Sequence, residues 1–163
     1  MAEFAIGHLN GCTVAILADG EVLPQQVVTA GVITLDKAYA KVSVGLPYYS
    51  DLETLNIEVG LKDGSLQGRR IKLGNVMFRV ENTRGGWVGP NEDVLYEAFP
   101  EAINEKLLAL DHPTDAMFTG DIRIPLGAGY EDGGRVFYRQ VDPLPVTINA
   151  VVPEVAAGGP SAA

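Results

Sequence analysis

The stretch "RIKLGNVMFRVE", residues 70–81, carries the strongest strand pattern in the chain. Side chains alternate between the two faces of a strand, and apolar residues here occupy alternate positions. The alternation changes phase at residues 74–75, Gly-Asn, which predicts a β-bulge. Arg79 and Glu81 are expected to face solvent. The predicted inner face consists of Ile71, Leu73, Val76, Phe78 and Val80.

The N-terminal part of the chain predicts a β-hairpin. Residues 12–18 form an apolar run that ends at Asp19-Gly20, a dipeptide that favours the positive φ angles of tight hairpin turns. Residues 21–28 would be the return strand, and Pro24 indicates an edge position or a bulge there. Further runs with strand character are residues 31–36, 40–45, 54–59, 121–126, 135–141 and 145–152.

In two of these runs the alternation predicts which side chains share a face. Residues 54–59 place Leu55, Ile57 and Val59 on one face. In residues 145–152 the predicted shared face consists of Val146, Ile148, Ala150 and Val152.

A weaker pattern in residues 91–110 predicts one short helix. Ile103 and Leu107 are four residues apart, Leu110 follows three later, and Pro100 precedes them. The fold class is therefore all-β, an antiparallel sandwich or barrel-like domain with this single helix. Residues 1–155 are expected to form one β-rich domain, and residues 156–163 a flexible C-terminal tail.

Composition excludes several classes of protein. Twelve Lys and Arg against 21 Asp and Glu give a net charge of −9, which argues against a surface that grips nucleic acid. Cys12 is the single cysteine, so the chain has no internal disulfide. We find neither a signal peptide nor a run of apolar residues long enough to span a membrane.

No pattern typical of an enzyme or metal site emerges, and we expect no catalytic, cofactor-binding or metal-binding residues. His8 and His112 lack partners at metal-ligand spacing, and Cys12 is expected to be a small buried apolar residue. Asp19 is explained by the hairpin turn. Asp111, Asp115 and Asp121 do not match a calcium-binding loop.

Two further stretches have a structural and a functional interpretation. The Gly-rich residues 127–134 lack the Lys-Ser/Thr of a phosphate-binding loop, which favours a hairpin loop. Residues 65–72 contain the densest basic cluster, Arg69, Arg70 and Lys72. Such a cluster is usually a solvated surface, and its alternative is a contact with an acidic neighbouring subunit.

Five phrases, taken in order, carry a resemblance to a known family. They are "HLNGCTVAILADG", "GVITLD", "VGLPYYSDLETL", "SLQGRRIKLGNVMFRVENTRG" and "GRVFYRQVDPLPVTINAVVPEV". Together they resemble the C-terminal region of tail nozzle proteins of short-tailed bacteriophages, also called tail tubular protein B or phage stabilisation proteins. The resemblance covers about residues 7–155, although nozzle proteins are several times longer than this chain.

The resemblance implies a structural virion protein, not an enzyme. Members of that family form a sixfold ring below the portal and adaptor, through which the genome leaves the capsid. The implied partners are further copies of the chain, the portal or adaptor, tail fibres or other tail proteins, and genomic DNA that passes without specific binding. The implied location is the virion tail, assembled in the bacterial cytoplasm. The residues expected at the subunit interface are Tyr48, Tyr49, Gln67, Arg69 and Arg70.

Two alternatives remain open at the level of sequence. Tyr48, Tyr49, Trp87 and Tyr130 could stack on sugar rings, which suits a host-surface glycan-binding or virion-decorating module. A hydrolase of cell-wall or capsule material would need two paired carboxylates or a metal site, and the sequence shows neither.

Overall fold

Strand β9 (Arg70–Thr83) is the longest element among the residues that the computed structural model of the chain describes. The structure describes residues 2–57, 60–61, 64–65, 70–99, 117–127 and 129–157. The five residues predicted to face inward are all buried, which confirms the alternation of this strand. The bulge at residues 74–75 is confirmed, because the partner register skips Gly74 there.

Strand β9 is hydrogen-bonded along both edges. Strand β15 (Ile148–Ala157) pairs antiparallel with one edge, opposite residues 71–80. Strand β12 (Phe118–Pro125) pairs with residues 75–83 of β9, and β13 (Tyr130–Asp132) pairs with residues 70–72. Both stretches overlap the one that β15 occupies, so β12 and β13 lie end to end along the other edge. We call this group the β9 sheet.

A second sheet packs against the inner face of the β9 sheet. It consists, in spatial order, of β11 (Tyr96–Glu97), β10 (Trp87–Gly89), β14 (Phe137–Gln140) and β6 (Ser50–Glu53), and we call it the β14 sheet. The Phe78 and Tyr138 ring centroids lie 5.7 Å apart between the two sheets. The shared core also contains Leu73, Val76, Val80, Val88, Ala98, Phe99, Ile122, Ile124, Leu126 and Val136.

The N-terminal part builds a separate apolar cluster. Its strands are β1 (Ala2–Ala5), β2 (Thr13–Ala18), β3 (Glu21–Val27), β4 (Val32–Leu35) and β5 (Val42–Gly45), with a 3-10 helix at Gly7–Leu9. Strands β1 and β4 form one sheet, and β3, β2 and β5 another. The short strands β7 (Gly60–Leu61) and β8 (Gly64–Ser65) pair with each other. The buried residues of the N-terminal cluster are Val14, Ile16, Val28, Ile33 and Leu35.

The predicted all-β class is therefore confirmed, and the open sheets match a sandwich, since no sheet closes on itself in the described residues. Within those residues the apolar core is divided into two clusters, one formed by the N-terminal strands and one by the rest. The single-domain boundary at residues 1–155 stays a prediction.

The hairpin at Asp19-Gly20 has the predicted geometry. Both residues have positive φ, 47° and 78°. The amides of Ala40 and Lys41 donate to the Asp19 carboxylate at 2.9 and 2.7 Å. These backbone hydrogen bonds lower the pKa of Asp19, because they favour its charged form. Asp19 thus joins the hairpin turn to the start of β5 and has a structural role.

Several local expectations need correction. The strand predicted at residues 54–59 is wrong for residues 54–57, where the Thr54 and Ile57 amides donate singly to the Val136 and Gly133 carbonyls and Leu55 is 89% exposed. Residues 58–59, with Val59, lie outside the described residues. In β15 a register shift between Ile148 and Ala150 reverses the alternation. Val151 therefore packs on the core, and Val152 is exposed.

Other corrections concern loops and ends. Residues 127–134 are not a hairpin loop, because they contain β13, which continues along the same edge of β9 as β12. Cys12 is exposed instead of buried, since it lies in the turn before β2. Strand β15 extends to Ala157 and so includes the first two residues of the expected tail, and residues 158–163 lie outside the described residues.

The helix predicted in residues 91–110 is only partly testable. Residues 91–99 contain bends and strand β11, not a helix. Residues 100–110, which hold the helical spacing, lie outside the described residues.

Replacing Phe78 tests the role of the core between the two sheets. Phe78→Ala should lower the free energy of unfolding by about 3–5 kcal/mol, because it removes a buried ring and leaves a cavity. Urea unfolding measures this change. Met77→Ala, on the outer face of the same strand, is the matched control and should have a much smaller effect. Equal effects of the two changes would contradict the assigned inner face.

Candidate interaction surface

Exposed apolar side chains cluster around the β14 sheet. Eight of the ten large apolar side chains that are exposed in the described residues come from residues 46–55 and 87–96. These segments form or flank β6, β10 and β11. Tyr48 and Tyr49 are 77% and 65% exposed, and Trp87 is 41% exposed. Exposed apolar groups concentrated in one region are typical of interaction sites.

The outer face of the β14 sheet combines these aromatic rings with charge. In the strand register Trp87 lies opposite Glu97 on one side and Arg139 on the other, and Arg139 lies opposite Asp51. Directly paired residues point to the same face of a sheet. We call this surface the Arg139 face; it consists of Asp51, Glu53, Trp87, Glu97, Phe137 and Arg139, together with Tyr49 and Glu92, which contact Arg139.

Arg139 is held at the centre of this face by several contacts. Its Nε and Nη2 atoms donate to the two carboxylate oxygens of Asp51, each at 2.8 Å. Its guanidinium carbon lies 5.0 Å from the Tyr49 ring centroid and 5.1 Å from that of Phe137. The Glu92 carboxylate is 3.7 Å from Nη2. A planar guanidinium can form a bidentate pair and contact aromatic rings at once, which Lys cannot do.

Hydrogen bonding to Arg139 lowers the pKa of Asp51, and partial desolvation opposes the shift. The same hydrogen bond raises the pKa of Arg139. Asp51 is therefore an acceptor that orients Arg139, and both groups stay charged through the neutral range. Nothing in this pair resembles a proton donor poised for general acid catalysis.

A second Arg–carboxylate contact, between Arg135 and Glu53, lies beside the first. Arg135 Nη1 lies 2.9 Å from a Glu53 carboxylate oxygen, and its Nε donates to the Asn56 side-chain oxygen at 2.9 Å. These groups are about half exposed. The face therefore presents fixed charges of both signs around its aromatic rings.

Two glycines, Gly86 and Gly89, allow the chain at strand β10 to approach its neighbours closely. Gly86 has a φ of +103°, and a Cβ there would overlap the Tyr138 hydroxyl group. That hydroxyl donates to the Gly85 carbonyl at 3.0 Å, and burial raises the pKa of Tyr138 to about 12. A Cβ on Gly89 would overlap the Val94 carbonyl oxygen. The close approach that places Trp87 on the surface thus requires residues without a side chain.

An open groove of about 410 Å³ lies beside the Arg139 face. Tyr48 and Ser50 form one side, and residues 142–146 form much of the other. The groove continues the exposed aromatic surface toward the turn that precedes β15.

The three described residues of the predicted subunit interface lie in two different sheets, and the interface stays a prediction. Tyr48 and Tyr49 lie next to β6 in the β14 sheet, whereas Arg70 begins β9 in the other sheet. Arg70 alternates with the buried Ile71, so it points to the outer face of the β9 sheet. Gln67 and Arg69 lie outside the described residues.

The other polar candidates have structural explanations where the structure describes them. Asp121 accepts two hydrogen bonds from Arg79 at 2.8 and 3.0 Å, which lower the pKa of Asp121. His8 is exposed in the 3-10 helix. Across the described part of the chain, no group of three or more His, Cys, Asp or Glu could hold a metal. His112, Asp111 and Asp115 lie outside that part, and Tyr130 belongs to β13, whose side chains are not described.

Sequence reasoning found Tyr49 and Trp87 but missed the centre of the face. Arg139 and Asp51 are 88 residues apart, and only the register of β6 with β14 brings them together. The sequence gives only a weak indication that Arg139 belongs to a site, because it alternates with apolar neighbours in a predicted strand, as many solvated residues do.

Comparison with known proteins gives no family assignment. No protein-family model matches this chain, and no curated protein matches it in sequence.

In the part of the chain that the structure describes, no helix has the length and apolarity needed to cross a membrane.

Gly86→Ala tests the packing beneath the face. It should destabilise the protein by at least about 1–2 kcal/mol, the cost of placing a Cβ in a left-handed conformation, and displacement of Tyr138 adds to this. Thermal unfolding followed by Trp87 fluorescence would measure the loss. Gly45→Ala is the control, because it meets no atom within 4 Å. Wild-type stability in Gly86→Ala would contradict the close approach.

Asp51→Asn tests the Arg139 contact through its pH dependence. A lowered pKa in the folded state adds stability above the unfolded-state pKa, and this stability is lost as pH falls through the folded-state value. The melting temperature of the wild type should therefore fall more steeply below the ordinary aspartate range than that of Asp51→Asn. Asp142→Asn, just beyond β14, is the control. Parallel profiles for wild type and Asp51→Asn would contradict the assignment.

Proposed function

We propose that this chain is a structural protein of a short phage tail, a component of a ring that lines or stabilises the conduit for DNA ejection. The observation that carries the proposal is the ordered set of five phrases that resembles the C-terminal region of tail nozzle proteins. Three of the five phrases, residues 44–55, 65–85 and 134–155, contain β6, β9, β14 and most of β15. The resemblance therefore falls on the strands that build the sandwich and the Arg139 face.

The surface of the sandwich supports an assembly role. Aromatic residues and Arg are enriched where binding energy concentrates in protein interfaces, and Tyr49, Trp87 and Arg139 meet on one face. The bidentate contact with Asp51 holds Arg139 in place before any partner arrives, which reduces the entropy lost on binding.

The net charge of −9 suits a conduit for DNA. Negative potential on a lumen repels phosphate and keeps the genome from adhering as it passes. The proposed partners are further copies of the chain, the portal or adaptor and other tail proteins, in a virion assembled in the bacterial cytoplasm.

Mass measurement in solution tests this function. Light scattering coupled to size exclusion, with electron microscopy of the main peak, should show a closed ring whose mass is a whole multiple of 17.3 kDa, six copies being the expectation. Mass spectrometry of purified phage particles should detect the chain. A monomer at every concentration, together with absence from particles, would overturn the proposal.

A glycan-binding or virion-decorating module is the second candidate. The exposed ring of Trp87 lies beside the Arg139–Asp51 pair, and rings next to fixed hydrogen-bonding groups suit sugar recognition. Binding of a monomeric protein to a glycan array, lost in Trp87→Ala, would favour this candidate over the ring.

A further inference from the structure

The N-terminal strands and the sandwich share neither a sheet nor an apolar core in the part of the chain that the structure describes. Within the described ranges, strands β1 to β5 pair only with one another, and so do β6 and the strands that follow it. The buried and half-buried side chains of the N-terminal cluster all come from residues 4–44, and those of the larger cluster from residues 57–155. Each part therefore buries its own apolar surface.

The backbone connection between the two parts is short and exposed. Strand β5 ends at Gly45 and β6 begins at Ser50, and residues 46–49 between them have no regular structure. Leu46 and Tyr48 are 58% and 77% exposed. A Cβ on Gly45 would meet no atom within 4 Å. The packing therefore leaves the dihedral angles at Gly45 free to change.

A side-chain contact of Arg84 also joins the two parts. Its Nη1 atom donates to the Gly20 carbonyl at the tip of the β2–β3 hairpin, and at 3.4 Å this hydrogen bond is long. The Arg84 backbone is fixed in the sandwich, because its amide donates to the Pro145 carbonyl and its carbonyl accepts from the Gln140 side chain. Asp19 fixes the hairpin tip within the N-terminal part. The contact therefore lies between two well-ordered structures and can break without disturbing either.

We infer that residues 2–45 form a module that unfolds independently of the sandwich and turns relative to it about residues 45–48, with the Arg84–Gly20 contact restraining that rotation. This inference differs from the single domain expected from the sequence, and it does not depend on the proposed ring. Relative motion is the general expectation where two compact parts share little interface. A joint of this kind lets one part of a copy stay in place within an assembly while the other part follows a partner.

Core substitutions in the full chain test whether the two parts unfold separately. Ile16 is fully buried in the N-terminal cluster. Ile16→Ala should speed amide hydrogen exchange in strands β1 to β5 by on the order of tenfold or more, and Ile16→Val should do so to a smaller extent. The unfolding midpoint reported by the single tryptophan, Trp87 in the sandwich, should stay at its wild-type value in both variants.

Phe78→Ala is the reciprocal variant. It should lower the Trp87 midpoint and leave hydrogen exchange in strands β1 to β5 unchanged. A Trp87 midpoint that falls together with the protection of the N-terminal strands in the Ile16 variants would show one cooperative unit and overturn the inference. Ile16→Val keeps this test decisive if Ile16→Ala leaves the N-terminal part unfolded.

Energy transfer tests the rotation in the full chain. The single cysteine, Cys12, is exposed in the N-terminal part and can carry a dye that accepts excitation from Trp87. Time-resolved decay of Trp87 gives the distribution of the distance between the two labels. The wild type should show a broad distribution, and Arg84→Gln should widen it because the restraining contact is lost. Labelled copies diluted in unlabelled protein exclude transfer between copies.

Arg123→Gln is the matched control, because it removes a guanidinium group that pairs with Glu154 within the sandwich. Its distance distribution should equal that of the wild type. A narrow distribution that is the same in the wild type and in Arg84→Gln would overturn the rotation. None of these results depends on ring formation, so the inference and the proposed function fail or stand separately.

Discussion

The structure of the larger apolar cluster depends on strand β9 being hydrogen-bonded along both edges. A strand in that position must bury one complete face, and the alternation from Ile71 to Val80 provides it. Because β15, β12 and β13 all take their register from β9, a one-residue slip would turn the whole inner face toward solvent. The bulge at Gly74 absorbs the one change of phase in the sequence, so the buried side chains on both sides of it reach the same core.

The register of the β14 sheet then determines the chemistry of the surface. The ring of Tyr138 is fixed by Phe78 beneath it and by the Gly85 carbonyl beside it. Arg139 is the next residue along the strand, and it must point outward, where Asp51 and Tyr49 hold it. Strand β14 therefore contributes to both regions: one of its faces packs in the core through Tyr138, and the other carries Arg139.

Sequence predicted what depends on local periodicity and turn chemistry. The inner face of β9, its bulge and the Asp19-Gly20 hairpin all follow from neighbours within a few residues. The failures have a common physical origin in long-range pairing. The alternation of residues 54–59 predicts a strand in which Leu55 and Ile57 share a face, but in residues 54–57 single hydrogen bonds to residues 133 and 136 replace a strand. Val152 points away from the predicted face because of the bulge between Ile148 and Ala150, which the residues of that stretch do not predict. The Arg139–Asp51 pair joins residues that only the fold makes neighbours.

Two of the prolines that lie within strands, Pro24 and Pro153, have a consequence for solubility. Pro24 lies in β3, which has one partner strand in the described residues, and Pro153 lies in β15, whose partner there is β9. Proline has no amide hydrogen, so a strand that contains it offers an interrupted row of donors to any chain that approaches its open side. Such interruptions oppose edge-to-edge growth into fibres. Contacts between copies through the backbone of these strands are thereby disfavoured relative to contacts through side chains.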